Sequence, residues 1–255
     1  VANCASLPFA PVFTASTTSH TSKADGANLF VKITYPNGAY ANVAKSITEL
    51  PYALPSRLTT IQKACPDTVF EANPAACDEG SEIGHAIVHT PVFKNPLVGP
   101  AYLVSHGNRA FPDIEIVLQG EGITLVLDGH TDIKNSITKT SFESVPDAPV
   151  EVFELILPEG PHSALAANDN LCKPEKPGTV TEKVTEHVKG RTIHVTKKVH
   201  KMVAEELVIP TKLVAQNGRV LEQKTKIAVS GCGAVKGSKT TKKPAKKAKK
   251  SSKKK

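Results

Sequence analysis

Apolar and β-branched residues alternate with polar ones in short runs along most of the chain, and Gly, Pro, Asn and Asp separate the runs. They cover 29–35, 82–90, 101–106, 113–119, 123–129, 136–144, 150–157, 212–216 and 219–229. A two-residue period turns one face of each run to a core and the other to water, so these segments are predicted to be strands. Many short strands punctuated by turn residues predict an all-β chain, and specifically an antiparallel β-sandwich, Ig-like or related. Gly120-Glu121-Gly122 and Asn217-Gly218, each between two such runs, mark the clearest hairpins.

Two segments break the pattern. Over 54–71, Leu58, Ile61 and Ala64 follow helical spacing, with Ser56 as an expected N-cap and Pro66 able to open a second short turn. Over 173–206, Val180, Val184 and Val188 lie on one face of an extended strand. After the Lys189-Gly190-Arg191 break, Ile193, Val195, Val199 and Val203 form its return, with Thr, His and charged residues elsewhere. This reads as a projecting polar hairpin inserted into a body of residues 1–235, itself one unit or two small sandwiches. The four-residue spacing of the valines also suits a helix, but β-branching and the central Gly favour strands.

The chain has 5 cysteines and no C-x-x-C pair. That spacing argues against zinc or thioredoxin-like chemistry and for disulfides formed in an oxidising compartment. Cys65 with Cys77 and Cys172 with Cys232 are the leading pairs, although the sequence leaves other connectivities open. Cys4 is then left over, close to a start at Val1 that carries no leader-like pattern. The start reads as a processed or cut end, with the partner of Cys4 expected upstream.

No nucleophile elbow, phosphate loop, H-E-x-x-H or dinucleotide fingerprint occurs, so no catalytic residue, cofactor or metal is expected. His85 and His89 share a strand face, and His106 and His130 lie near in strand order; scattered strand and turn histidines are the simpler reading. His187, His194 and His200 read as a solvated face of the hairpin. Asp128, Asp132 and Asp169 could ligate calcium in loops, but turn chemistry explains them equally well. Asp113 and Glu115 could be paired as acid and base. With Ile114 and Ile116 facing inward, they read instead as the solvent face of a strand.

Charge adds one feature. The formal net charge of +8 comes from residues 236–255, which hold eleven lysines and no acid; 1–235 has fewer basic than acidic groups. This stretch has nothing to nucleate a core, so it is expected to be disordered and to attract polyanions. Lys242, Lys243, Lys246, Lys247, Lys249, Lys250, Lys253, Lys254 and Lys255 are the expected contacts to wall polymer, lipid head groups or DNA. With no aromatic or Arg among them, sequence readout of nucleic acid is not expected.

Strings such as NCASLPFAPVFTAST, ALPSRLTTIQKAC, HTPVFKNPLVGPAYLVSHGNRAFPDIEIVLQGEG and PTKLVAQNGRVLEQKTKIAVSGC resemble the C-terminal region of large uncharacterised secreted or cell-surface proteins of actinobacteria. The resemblance runs over Asn3 to Cys232 apart from 173–206. It implies export, repeated sandwich modules and a bond from Cys4 to a preceding module, and no activity. The resulting expectation is a non-enzymatic extracellular or cell-surface protein, structural or adhesive, held at an anionic envelope by its tail. A sequence-nonspecific nucleic-acid binder is the first alternative and a carbohydrate- or peptide-acting hydrolase the second.

Overall fold

The computed structural model describes residues 4–36, 38–188 and 191–233; the Lys-rich 236–255, with every lysine named above, lies outside them. Strands dominate: β1 (Val12–Thr18), β2 (Leu29–Thr34), β3 (Val43–Glu49), β4 (Cys65–Pro66), β5 (Glu82–His89), β6 (Leu97–Ser105) and β7 (Asp113–Gly120). They continue with β8 (Ile123–Lys134), β9 (Ile137–Phe142), β10 (Val152–Leu157), β11 (Glu175–Val188), β12 (Arg191–Ala204), β13 (Val208–Ala215) and β14 (Val220–Ser230). Both expected hairpins form. Glu121 and Gly122 take positive φ between β7 and β8, and Gly218 (φ 82°) turns β13 into β14.

The architecture is all-β, but it is not a sandwich. The sheet runs β6-β5-β10-β2-β1-β14-β13-β3-β9-β8-β7, and β7 pairs again with β6, closing an 11-stranded barrel. Alternation with apolar residues inward is common to sandwiches and barrels, so the sequence pattern could not separate them. Pairing decides: β6 bonds β5 on one side and β7 on the other, which closes the ring, while the two-residue β4 is added in parallel at Val104 and Ser105 of β6. An odd number of strands cannot close with every neighbour antiparallel. The mismatch is taken up where β1 and β14 run parallel, with Ala15 opposite Ile227.

The inward phase is apolar: Phe13 and Ala15, Leu29, Ala86 and Val88, Ala101 and Leu103, Ile116 and Leu118, Leu127, Leu157, Ile209 and Ile227. Outward positions are mixed: Glu222, Lys224 and Lys226 of β14 are polar and exposed, whereas Val12, Val98 and Val126 are apolar and exposed. Among the described residues no helix is long and apolar enough to cross a membrane. One end of the barrel is filled by Ala53, Leu54, Ala164, Leu165, Leu171 and Leu207, from segments between strands. The other end is crossed by residues 143–151.

The excursion over 54–71 forms two short helices, α1 (Leu58–Ile61) and α2 (Asp67–Ala72). Arg57 occupies the N-cap of α1 and Pro66 that of α2. Ser56 does not cap; its hydroxyl lies 2.9 Å from Thr138 Oγ1, which ties the segment to the barrel. Cys65–Cys77 clips α2 onto the outer wall, where Phe70 meets Tyr102 edge-on at 5.8 Å above Val104 and Val117. Cys172–Cys232 ties the filled end to the chain just beyond β14. Cys4 stands exposed in a single 3₁₀ turn, outside both bridges.

β11 and β12 form a separate two-stranded sheet, the hairpin expected over 173–206. Cross-strand Thr179–His200 and Thr185–His194 contacts decorate its exposed face. Its base is held by Glu205, whose carboxylate accepts the backbone N–H groups of Tyr52 and Ala53, each at 3.1 Å.

Candidate functional site

Barrels of about eight strands are filled by their own side chains, whereas wider ones leave space. Here the wall carries Ala15, Ala86, Ala101 and Gly129 in its inward phase, and a cavity of about 190 Å³ remains. Val31, Ile33, Ile114, Leu118, Leu125, Phe142, Phe153 and Leu155 are among the side chains around it. Gly129 makes room for Phe142, since a Cβ there would lie 2.5 Å from the ring. No Lys, Arg, Asp or Glu lines the space.

The mouth is covered by 143–151, which contributes Val145, Pro146, Ala148 and Val150. Asn42 Nδ2 donates to Asp147 Oδ1 at 2.8 Å and Gln216 Nε2 to the Val145 carbonyl at 3.0 Å, holding this strap down. Beside it Tyr35 stacks on Tyr40 at 4.8 Å; burial pushes its phenol up, so it stays neutral.

One wall of the lumen is polar. Gln223 stands opposite Thr211, Thr211 opposite Thr48, Thr48 opposite Thr140 and Thr140 opposite Thr131. Directly opposed residues share a face, so these side chains form one row over β14, β13, β3, β9 and β8. Its face is inward, that of Ile227, Leu213 and Leu127. Thr48 and Thr140, in the middle, line the cavity together with Ser46. Thr131 Oγ1 and Gln223 Nε2, at opposite ends, are buried with no hydrogen-bond partner among the described residues. Nothing in the sequence reading pointed to these residues. Their one signal is Thr in the apolar phase of strands that otherwise place Leu, Ile and Val there.

On the outer wall beneath the α2 clip lies a charged cluster. Asp113 and Glu115, expected at the solvent face, are 0% and 5% exposed. The phase was read correctly, since Ile116 faces the lumen, but α2 and the 106–112 loop cover the other side. Asp113 accepts from Arg109 Nη1 and from the Thr131 backbone N–H at 3.1 Å, with His130 Nδ1 3.1 Å from the same Oδ1. His106 Nε2 lies 3.7 Å from both Asp113 and Glu115, and its Nδ1 3.8 Å from Asp67. Burial first, then Asp128 and Asp113, pushes Glu115 up to about 8. His106 and His130 therefore do meet, around a buried carboxylate.

The other candidates separate. His85 and His89 share the exposed face of β5. Asp128 and Asp132 belong to strand β8 and not to a calcium loop, and Asp169 accepts the Glu175 N–H at 3.0 Å. Among the described residues no group of three or more His, Cys, Asp or Glu is placed to hold a metal. An open cleft of about 900 Å³ at the filled end is lined by Ser22, Arg57, Asn168 and Asp169, among others. Its polar groups are committed internally: Arg57 donates to the carbonyls of Gly160, Pro161, Lys23 and Ala24, and Asn168 to that of Tyr52. The lumen is the better site, since it combines enclosure, an apolar body and a few hydroxyl groups, those of Ser46, Thr48 and Thr140.

Comparison with known proteins finds no matching family model, curated protein or solved structure.

Proposed function

We propose that this is a non-enzymatic, extracellular binding protein that encloses a compact, mainly apolar small molecule in its barrel. The carrying observation is the lumen of about 190 Å³ behind the 143–151 strap. An apolar cavity of roughly 150 Å³ is enough to take up benzene, so this one suits a single ring with a short substituent. The absence of charge from its lining favours neutral ligands, because an unpaired ion there would lose its hydration without compensation. The two disulfides support life in an oxidising compartment.

Titrating the protein with ethylbenzene while following methyl and ring NMR signals tests this. Shifts confined to lumen residues such as Ile114, Leu118, Leu127 and Phe153 are expected, and Leu155→Trp, which fills the space, should abolish them. Unchanged spectra up to saturating hydrocarbon would refute the reading.

The eleven lysines of 236–255 support a second element of the proposal, that the tail holds the barrel at an anionic surface. Removing 236–255 should release the protein from phosphatidylserine-containing vesicles at low salt. Retention unaffected by the deletion would count against anchoring. Duplex DNA in a parallel salt series distinguishes the nucleic-acid alternative.

A further inference from the structure

We infer that the β11–β12 hairpin is a second membrane-contacting element, which lays its valine face on an anionic bilayer beside the Lys-rich 236–255 and turns the strap-covered mouth of the barrel away from it. This rests on the proposed attachment of 236–255 to an anionic surface and adds the face and the orientation with which the protein meets it.

The register sorts the hairpin into two unlike faces. Val180 pairs with Val199 and Val184 with Val195, so these four side chains share one face, with Val203 further along it. Glu182, between the two valine pairs, is ion-paired with Lys201 of the same face. The opposite face carries Lys183, Lys198, His194 and His200 among threonines, all exposed and with no acid in their rows. None of the five valines belongs to the barrel core or to the side chains packed against it. A lone two-stranded hairpin is marginal in water, and here its apolar face is only half-buried by its own neighbours.

Charge points to what covers that face. Residues 1–172 and 207–235 hold 13 basic and 19 acidic groups, whereas 173–206 hold eight and five, and 236–255 eleven and none. The cations are therefore segregated from an acidic barrel. They also share one root. Cys172, three residues before β11, is bonded to Cys232, four residues before Lys236, with their Cα atoms 5.7 Å apart. This root is the filled end of the barrel, where Glu205 holds the hairpin base, and the strap crosses the other end. An anionic bilayer attracts the root and repels the rest. Nucleic acid would meet the same cations but leave the valines in water, whereas the boundary between head groups and acyl chains takes up an apolar face. An apolar contact and a polybasic stretch together supply the two signals that stable attachment needs.

The test uses the full chain and vesicles of phosphatidylserine and phosphatidylcholine, read by flotation. Val180→Thr/Val184→Thr/Val195→Thr/Val199→Thr keeps the β-branched shape and every charge, and should weaken binding about tenfold. The chain has no Trp, so a single one reports depth. Brominated acyl chains should quench the emission of Val184→Trp and spare that of Thr185→Trp, on the other face, and of Ala148→Trp, on the strap. Equal flotation of the threonine variant, or no quenching at position 184 in bound protein, would overturn the hairpin contact while leaving attachment by 236–255 standing. Quenching from the strap position would overturn the orientation. A native dimer in sedimentation equilibrium that the threonine variant breaks would assign the valine face to a second copy instead. Tighter binding to duplex DNA than to vesicles at equal phosphate would overturn the choice of a bilayer. Vesicle binding that survives removal of 236–255 but not the threonine substitutions would refute the tail anchor and keep the hairpin. A native chain that never floats would remove both. The tryptophan readout stands even if the threonine variant does not fold.

Discussion

Glu115 and Asp128 face each other across the β7–β8 ladder, so that the charge of Asp128 disfavours ionisation of the buried Glu115 carboxyl. Burial first, then the nearby charges of Asp128 and Asp113, opposed by Arg109, keep Glu115 protonated up to about pH 8. In the unfolded chain a Glu titrates near pH 4.3. Below that value both states are protonated and Glu115 contributes no pH dependence. Between there and about 8 the folded state binds more protons, so stability falls as pH rises, and above 8 the loss is complete. The expected span is at most on the order of 5 kcal/mol. Urea midpoints from about pH 5 to about pH 9 should decline in the native protein and stay flatter in Glu115→Gln; coincident slopes would exclude a buried, protonated Glu115.

Arg109 is the cation for a carboxylate with no exposure of its own. Replacing Arg109 with Ala strands Asp113 with the Thr131 N–H, His130 and the more distant His106, and should cost about 2–3 kcal/mol, at or below the usual figure for a broken buried pair because the guanidinium is partly exposed. Adding Asp113→Asn should recover part of that loss. A double-mutant cycle in urea measures the coupling, and additive losses would show that the two groups do not depend on each other.

The bridges close loops of different length. Cys65–Cys77 spans 12 positions and Cys172–Cys232 spans 60, so removal should cost about 3 and about 4 kcal/mol respectively in the chain-entropy model. The local consequences differ. Cys65→Ala/Cys77→Ala should speed amide exchange in α2 and around Tyr102, whereas Cys172→Ala/Cys232→Ala should do so at the filled end, in 163–172. Hydrogen-exchange mass spectrometry distinguishes the two patterns, and uniform loosening in both variants would contradict the assignment.

Asn42 holds the strap over the mouth through one side-chain contact with Asp147. Asn42→Ala should therefore raise association and dissociation rates for ethylbenzene together, with an affinity change of about threefold or less. NMR exchange measurements check this; a change in affinity with unaltered rates would show that entry lies elsewhere.

Most strands could be read from alternation, because alternation reports which face is buried. β1 and β3 could not. VFTASTT is built of small and hydroxylated residues whose inward Ala15 and Thr17 carry little apolar signal. In VAKSITE the pairing of β3 with β13 shifts between Val214 and Ala215, so Val43 and Ser46 both reach the lumen and the two-residue period is broken. Those two strands complete the closed ring, and without them the pattern favours two open sheets. The site was hidden for a related reason: a threonine in a strand reads alike on either face, and the fate of Asp113 and Glu115 depends on α2, a distant segment folded over them.

The parallel seam carries a consequence in time. Thr225 Oγ1 donates to the Phe13 carbonyl across 212 positions of the chain, so the first barrel strand waits for the last. Nothing can seal the ring until nearly all of it has left the ribosome, and contacts between such remote partners form slowly.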